Sequence, residues 1–355
     1  MTRPGLWLGA GRVASALVLC VLSVGCAVTS PRNVPTDRLE YSEVLADSWK
    51  RQTLLNVVRL RYGDAPTFLD VSSIINSYSL SGKAVARVDI PASGGDAFQL
   101  GGEATWSNTP TVTYLPLIGA RFTTSMLQPI SPSAVLRLIQ SGWSADLVLR
   151  TVVRSVNGLR NGSSGVGPDP LFRELIQTMG RIQSAGGVDM RLMPRADGTA
   201  IVLVLPDEAD PVLKEERARL IRLLGIAKDA TELEIVYGRT GHTDSEIAMI
   251  TRSMLEIMLE LGFSVHLPEA HTTDGSTLPG RGAAGNAAAD RLVRIHSGSE
   301  APADAYAAVS YRGQSFWIDG KDIASKSTFT FMLLLFSLAE TGQSAAPPLV
   351  TVPSR

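Results

Sequence analysis

Residues 13–24 form an uncharged, mainly apolar stretch, preceded by Arg3 and Arg12 and followed at once by Gly25-Cys26. About twelve such residues fall short of the ~20 that a membrane-spanning helix needs. A basic start, a short apolar run and a small residue before a cut make up the layout of a cleavable export signal. Removal of 25 of the 355 residues leaves 330, and among these Cys26 is the only cysteine. Such a fold has no disulfide to rely on, although exported proteins work in an oxidising compartment. Its stability has to come from an apolar core, which a 45% hydrophobic composition can supply for one large or two modest domains.

The run Leu22-Ser23-Val24-Gly25-Cys26 resembles the signal of bacterial lipoproteins. The resemblance implies cleavage after Gly25 and a lipid (palmitate among its acyl chains) on Cys26, with residues 26–37 as a tether. The lipoprotein pattern usually has leucine three places before the cysteine; here Ser23 stands there and Leu22 lies one place further back. Ala27, rather than an aspartate, follows the cysteine, which in that family implies the periplasmic face of the outer membrane. Residues 56–80 and 111–161 also resemble envelope-lipoprotein sequences, a likeness that brings no activity with it.

Composition narrows the partners. Without Arg3 and Arg12, the 33 Lys and Arg fall to 31 against 34 acidic residues, with no block of one sign. That balance excludes nucleic acid, which calls for a clustered basic surface, and a polybasic membrane patch.

Along the chain, residues 38–62 predict a long helix with Leu54, Val58 and Tyr62 on one side and Leu55 beside them. Lys50, Arg51, Arg59 and Arg61 are expected on its wet side. Residues 67–118 change to period-two alternation and predict an antiparallel meander of about four strands. Helices are expected around 122–127, over 133–140 with Pro132 at the start, over 170–183 and over 212–224. Residues 147–156 predict a strand, 188–193 and 200–205 a hairpin through Asp197-Gly198, and 233–237 a further strand. The uninterrupted apolar run 200–205 reads as a central strand covered on both faces. Residues 244–261 predict a helix with a Thr243/Glu246 capping box and a stripe of Ile247, Ile250, Met254, Ile257, Met258 and Leu261. Residues 306–319 predict a hairpin turning at Arg312-Gly313. The run 329–338 predicts a core helix, apolar on all sides, with Ser325 and Thr328 as caps and Gly342 beyond its end. Residues 161–169 and 272–290 predict flexible loops. The expected class is therefore α+β: an N-terminal helix, an antiparallel meander (38–118), then mixed helices and mainly antiparallel strands (119–355).

The search for chemistry yields little. Gly280-Arg-Gly-Ala-Ala-Gly285 has the letters of a dinucleotide loop, but residues 272–279 cannot be the buried strand that must deliver it. No cofactor is expected. His266-Leu-Pro-Glu-Ala-His271 spaces its histidines by five with Pro268 between, which rules out the helical zinc-hydrolase arrangement and leaves Glu269 and both histidines as loop residues. No metal site is expected. Asp207, Glu208 and Asp210 precede a helix near Pro211, where acids stabilise the positive helix end. No G-x-S-x-G elbow occurs. Trp106, Tyr114, Trp143, Phe316 and Trp317 read first as packing, and Trp106, Tyr114 and Trp317 are the candidates for binding.

The sequence thus predicts a lipid-anchored envelope protein that binds or scaffolds envelope partners without catalysis. Two other classes stand beside it. The strands of residues 72–117 suit a pore or export component if copies assemble, although 98–106 barely reaches the ~9–11 residues of a spanning strand. A hydrolase requires His266, Glu269 or Asp207 to meet in a cleft.

Overall fold

The computed structural model describes residues 34–75, 78–89, 97–108, 111–164, 166–187, 189–195, 198–205, 210–228, 230–279 and 291–340. The chain divides into two compact units, 1–52 and 53–355. In the first, the described residues 34–52 belong to helix α1 (Val34–Arg61). Asp47 pairs there with Lys50 at 3.3 Å and Arg51 at 2.7 Å, one helical turn away.

In the second unit the same helix buries Leu54, Val57, Val58 and, just past its end, Tyr62, the apolar side expected from the sequence. Arg61 departs from expectation. It is buried, with its guanidinium 4.9 Å from the Phe263 ring and donating to the Leu278 carbonyl. A charge placed beside an apolar stripe can be drawn inward when an aromatic face and a carbonyl replace its water.

The unit is α+β. Strands β1 (Leu69–Ile75), β2 (Tyr78–Asp89), β3 (Ala97–Asn108) and β4 (Thr111–Pro116) follow α1. They are antiparallel as expected, but they are not a meander, because β1 pairs with β4 and β2 with β3. The pairings Ile75↔Thr111 and Tyr78↔Asn108 share one alignment, so the two-stranded pairs β1–β4 and β2–β3 are treated together as one ribbon. A register shift between Val71 and Ser73 is its one irregularity among the described residues.

After a short turn of helix α2 (Gly119–Phe122) come α3 (Pro132–Gln140) and α4 (Ala145–Val152). Ser131 caps α3 by accepting from the Ala134 amide at 3.3 Å, with Pro132 in the first turn. Residues 147–152, predicted as strand, are helical. Ala145, Val148, Leu149 and Val152 are all buried and recur at i, i+3, i+4 and i+7, so one helix face covers four apolar residues at once. The strand begins only at β5 (Val153–Val156), followed by β6 (Leu159–Arg160), α5 (Pro170–Ser184), β7 (Asp189–Arg195), β8 (Gly198–Val204), α6 (Pro211–Leu224), β9 (Glu232–Tyr237) and β10 (Glu246–Thr251).

These strands form one sheet in the order β6-β5-β10-β9-β8-β7, antiparallel except for the pair β10–β9. Residues 201–205 are buried throughout, as a strand covered on both faces requires. The β7–β8 register closes Arg195 onto Gly198, and Asp197 lies outside the described residues. Helices α5 and α6 are tied by Arg181–Glu216 at 2.7 Å and Arg219–Glu174 at 3.0 Å.

The predicted helix 244–261 is two elements. Ile247, Ala248 and Met249 are buried in succession and lie in β10, between β5 and β9. Helix α7 (Met254–Phe263) starts afresh, capped by Ser253, which accepts from the Glu256 amide at 3.2 Å. Glu246 does hold a backbone amide, but it is that of His242 at 2.8 Å, outside any helix.

Helix α8 (Glu269–Thr273) precedes a sheet of β11 (His296–Gly298), β13 (Gln314–Ile318) and β12 (Ala307–Tyr311). The turn between β12 and β13 is Arg312-Gly313, with φ of 47° and 76°, the two positive angles that a tight hairpin turn needs. The last helix, α9 (Ile323–Glu340), starts earlier than expected. Its cap is Asp322, which accepts from the Ser325 amide and the Ser325 hydroxyl at 3.2 and 2.7 Å. Thr328 sits inside the helix and donates to the Ala324 carbonyl.

Helix α9 packs on the preceding hairpin as predicted. Phe329 meets the Tyr306 ring edge-on at 6.2 Å, and the Tyr306 hydroxyl bonds Thr330 at 2.9 Å. It is not covered on all sides. Leu334 and Leu338 are 44% and 59% exposed, while Phe329, Phe331, Met332, Leu333, Leu335 and Phe336 are buried.

Candidate functional site

The root of the ribbon is held at several points. Asn56, fully buried on α1, holds both backbone groups of Thr67. Its Nδ2 donates to the Thr67 carbonyl at 2.8 Å, and its Oδ1 accepts from the Thr67 amide at 2.9 Å. The next residue, Phe68, is buried against the Phe336 ring at 5.3 Å and accepts from the Leu117 amide at 3.0 Å. Both strands of the ribbon thus leave the body at a fixed point, Phe68 and Leu117 being buried while Tyr114, Leu115 and Ile118 close by are exposed. Arg121 reaches Asp70 at 3.5 Å across the same root. Among the described residues, no other element packs extensively on β2 or β3.

A polar constellation braces the loop that feeds this root. Tyr62 bonds His271 Nδ1 through its hydroxyl at 2.7 Å and lies edge-on to Tyr311 and Phe316. Asp64 accepts from the Tyr311 hydroxyl and from Arg312 at 3.0 Å, and the Arg312 guanidinium stands 5.1 Å from the centre of the Tyr62 ring. The Tyr311 hydrogen bond, helped by Arg312, holds the Asp64 carboxyl below its usual range. Burial raises both phenols, Tyr311 with a further push from Asp64. Neither tyrosine is thereby activated as a base or nucleophile near neutrality. The cluster joins the end of α1, the β12–β13 turn and α8, and its chemistry is that of a clamp.

A third cluster surrounds Arg252, which is 1% exposed. It donates to the carbonyls of Arg150 and Thr151 at 2.9 and 3.1 Å and to that of Gly162. Glu260 accepts from the Ser164 amide at 2.9 and 3.1 Å and from the Ser163 hydroxyl. Asn161 donates to the carbonyls of Arg150 and Val153 at 2.8 and 2.6 Å. The loop read as flexible from its glycines is therefore held at three places along its first half. Sequence reasoning passed over Arg252, although an arginine just after the apolar run 247–250 and just before Met254-Leu255 is the sign of a paired buried charge.

The predicted site residues do not converge. Gly25, Cys26, Asp207 and Gly280–Gly285 lie outside the described residues. His266 turns to Ser297 at 3.5 Å, whereas His271 is bonded to Tyr62, so the two histidines serve different neighbours. Glu269 is exposed in the first turn of α8, and no group of metal-ligating side chains forms among the described residues. Asp210 caps α6, accepting from the Val212 amide at 2.9 Å. Of the aromatic candidates, Trp317 stacks on His296 at 5.7 Å in the three-stranded sheet. Tyr114, 57% exposed, lies in β4 opposite Val71, and Trp106 pairs in register with Leu80. Trp143 packs on Phe331 at 4.9 Å. Trp106 and Tyr114 therefore belong to the ribbon, and Trp317 belongs to the body.

Comparison with protein-family models, with curated proteins and with solved structures finds no match to this chain.

Proposed function

We propose that the protein is a lipid-anchored, periplasm-facing envelope protein that binds or scaffolds envelope partners through its β-ribbon. The observation that carries this reading is the ribbon itself, the antiparallel pairs β1–β4 and β2–β3 in one alignment from Ser73 to Asp89, on a root clamped by Asn56 and Phe68. A body that spends a buried asparagine and two buried apolar residues on fixing the exit of an arm gains nothing unless the arm meets something. The signal-like segment ending in Gly25-Cys26 supports attachment to the membrane, with the outer membrane favoured by Ala27.

The test has two parts. A lipid analogue fed to cells should label the wild type and leave Cys26→Ala unlabelled. Replacing residues 76–110 by Asn-Gly should close Ile75 onto Thr111 as a short hairpin, since that pair is already in register. This variant should melt like the wild type and run as a single chain on a native gel after mild detergent extraction, where the wild type runs as a larger assembly. An unlabelled wild type, or a wild type that runs as a single chain, refutes the reading.

A further inference from the structure

The register divides the β2–β3 ribbon into two chemically distinct faces. Successive residues of a strand lie on opposite faces, and directly paired residues share one. Leu80↔Trp106, Ala84↔Gly102, Ala86↔Leu100 and Val88↔Phe98 therefore fall together on the even-numbered face. No charged residue has this parity anywhere in β2 or β3. Lys83, Arg87, Asp89 and Glu103 are the charged residues of the two strands, and all four fall on the other face, together with Ser79, Ser81, Thr105 and Ser107. Lys83 stands directly opposite Glu103.

The dimensions of the apolar face suit a bilayer. From Tyr78 to Val88 the strand rises ~33 Å at about 3.3 Å per residue. Tilted by about 40°, it spans ~25 Å, the height of the apolar band of a membrane barrel. Aromatic residues mark both ends of that band, Tyr78 and Trp106 towards the root and Phe98 towards the far end, as in the girdles of such barrels. Each strand has 12 residues, above the ~9–11 that a spanning strand needs. Residues 98–106, which barely reach that length, are extended at both ends by the observed pairing.

One ribbon cannot enter hydrocarbon by itself. Its outer edges carry backbone N–H and C=O groups, and inside a bilayer every such group must be paired, which only a closed barrel achieves for strands. The smallest membrane barrels have about 8 strands, so closure needs at least about four ribbons. From these constraints we infer that β2–β3 is one hairpin of an oligomeric transmembrane β-barrel formed by copies of this chain, with the even face to lipid and the odd face to a water-filled lumen. The inference rests on the binding reading above and names the partner of the ribbon as the bilayer together with further copies. Near its middle the lumen wall carries Lys83 against Glu103, so the charges of the wall are matched and the channel is wet without favouring one sign of ion.

The test uses the full-length chain with single cysteines, Cys26 being the only other cysteine after the signal. Ala84→Cys, Ala86→Cys and Ala104→Cys probe one face, and Ser81→Cys, Val85→Cys and Thr105→Cys the other. Each variant is labelled with an environment-sensitive fluorophore and reconstituted into phosphatidylethanolamine–phosphatidylglycerol vesicles with or without brominated acyl chains. The expected result is strong quenching by brominated lipid at the first set and about tenfold less at the second, the dyad pattern of a barrel wall. The wild type in the same vesicles should pass small ions, and Ala86→Arg should abolish this while the melting of the body is unchanged. Equal quenching at both parities overturns the inference, as does a first set that is shielded from water yet not quenched, the signature of a protein cover. In either case, a wild type that still runs as a lipidated assembly leaves the scaffold reading standing, so the two ideas fail separately.

Discussion

Helix α9 gives the sharpest check on the packing of the body, because its ten-residue apolar run invites a wrong prediction. Read from sequence, Leu334→Asp should unfold the protein, since the run around it is nearly all apolar. In the fold Leu334 is 44% exposed and Phe331, one turn earlier, is fully buried against Trp143 at 4.9 Å. Truncating a buried phenylalanine costs ~3–5 kcal/mol, from lost transfer energy and from the cavity that remains. Here the cost belongs at the upper end, because the Trp143 side of the hole is held in place. Gln183 donates to the Trp143 carbonyl at 2.8 Å and also accepts from the Ala145 amide at 2.8 Å. Against a total stability of ~5–15 kcal/mol, Phe331→Ala removes a third or more. Leu334 has only about half of its side chain to lose, so Leu334→Ala or Leu334→Asp should cost about 1 kcal/mol or less. The assay is urea unfolding of the purified Cys26→Ala chain followed by tryptophan fluorescence. The expected result is a midpoint far below the parent for Phe331→Ala and near the parent for Leu334→Asp. If Leu334→Asp loses as much as Phe331→Ala, the outer face of α9 is covered, and the packing described above is wrong there.

Three other outcomes follow from the clamps. Arg252→Ala should cost ~3–5 kcal/mol, because it takes the arginine donor from the carbonyls of Thr151 and Gly162 and leaves that of Arg150 with Asn161 alone, and it should expose the 161–169 loop to protease, whereas a surface arginine such as Arg154 should not. Asn56→Ala should leave Thr67 with two unmet backbone groups in a part-buried site and cost ~1–3 kcal/mol, read as faster amide exchange at Thr67 and Phe68. The Asp64 carboxyl titrates lower in the fold than in the unfolded chain, so its contribution is present above the ordinary carboxylate range and is lost as pH falls through the folded value. Asp64→Asn should therefore melt below the wild type at neutral pH, and the gap should close in acid; a gap independent of pH would show that the hydrogen bond from Tyr311 does not discriminate the charged form.

The apolar stripes were legible in the sequence far more reliably than the elements that carry them. Leu54, Val58 and Tyr62 are buried at helical spacing, and residues 201–205 are buried at every position, so both kinds of core face could be read directly. The failure at 244–261 has a plain cause. Ile247, Ile250 and Met254 are spaced as on one helix, but a central strand buries residues of both parities, and a run of that kind fits either period. What separates them is Arg252 and Ser253, a buried charge and a cap, and each acquires its meaning only from partners ninety or more residues away or from the helix that follows. The ribbon shows the same division. The alternation that sets its charges apart from its apolar residues is written in β2 and β3 singly, because side-chain direction follows from the pleat alone. The nesting of β1 with β4 around β2 and β3 is a matter of long-range register, which no single strand encodes. An arm whose local chemistry is strict and whose root is fixed by a distant asparagine and phenylalanine is specified along its whole length, though no other described element packs extensively on β2 or β3. The charges of β2 and β3 thus gather on one face, although neither strand alone encodes the pairing that brings them together.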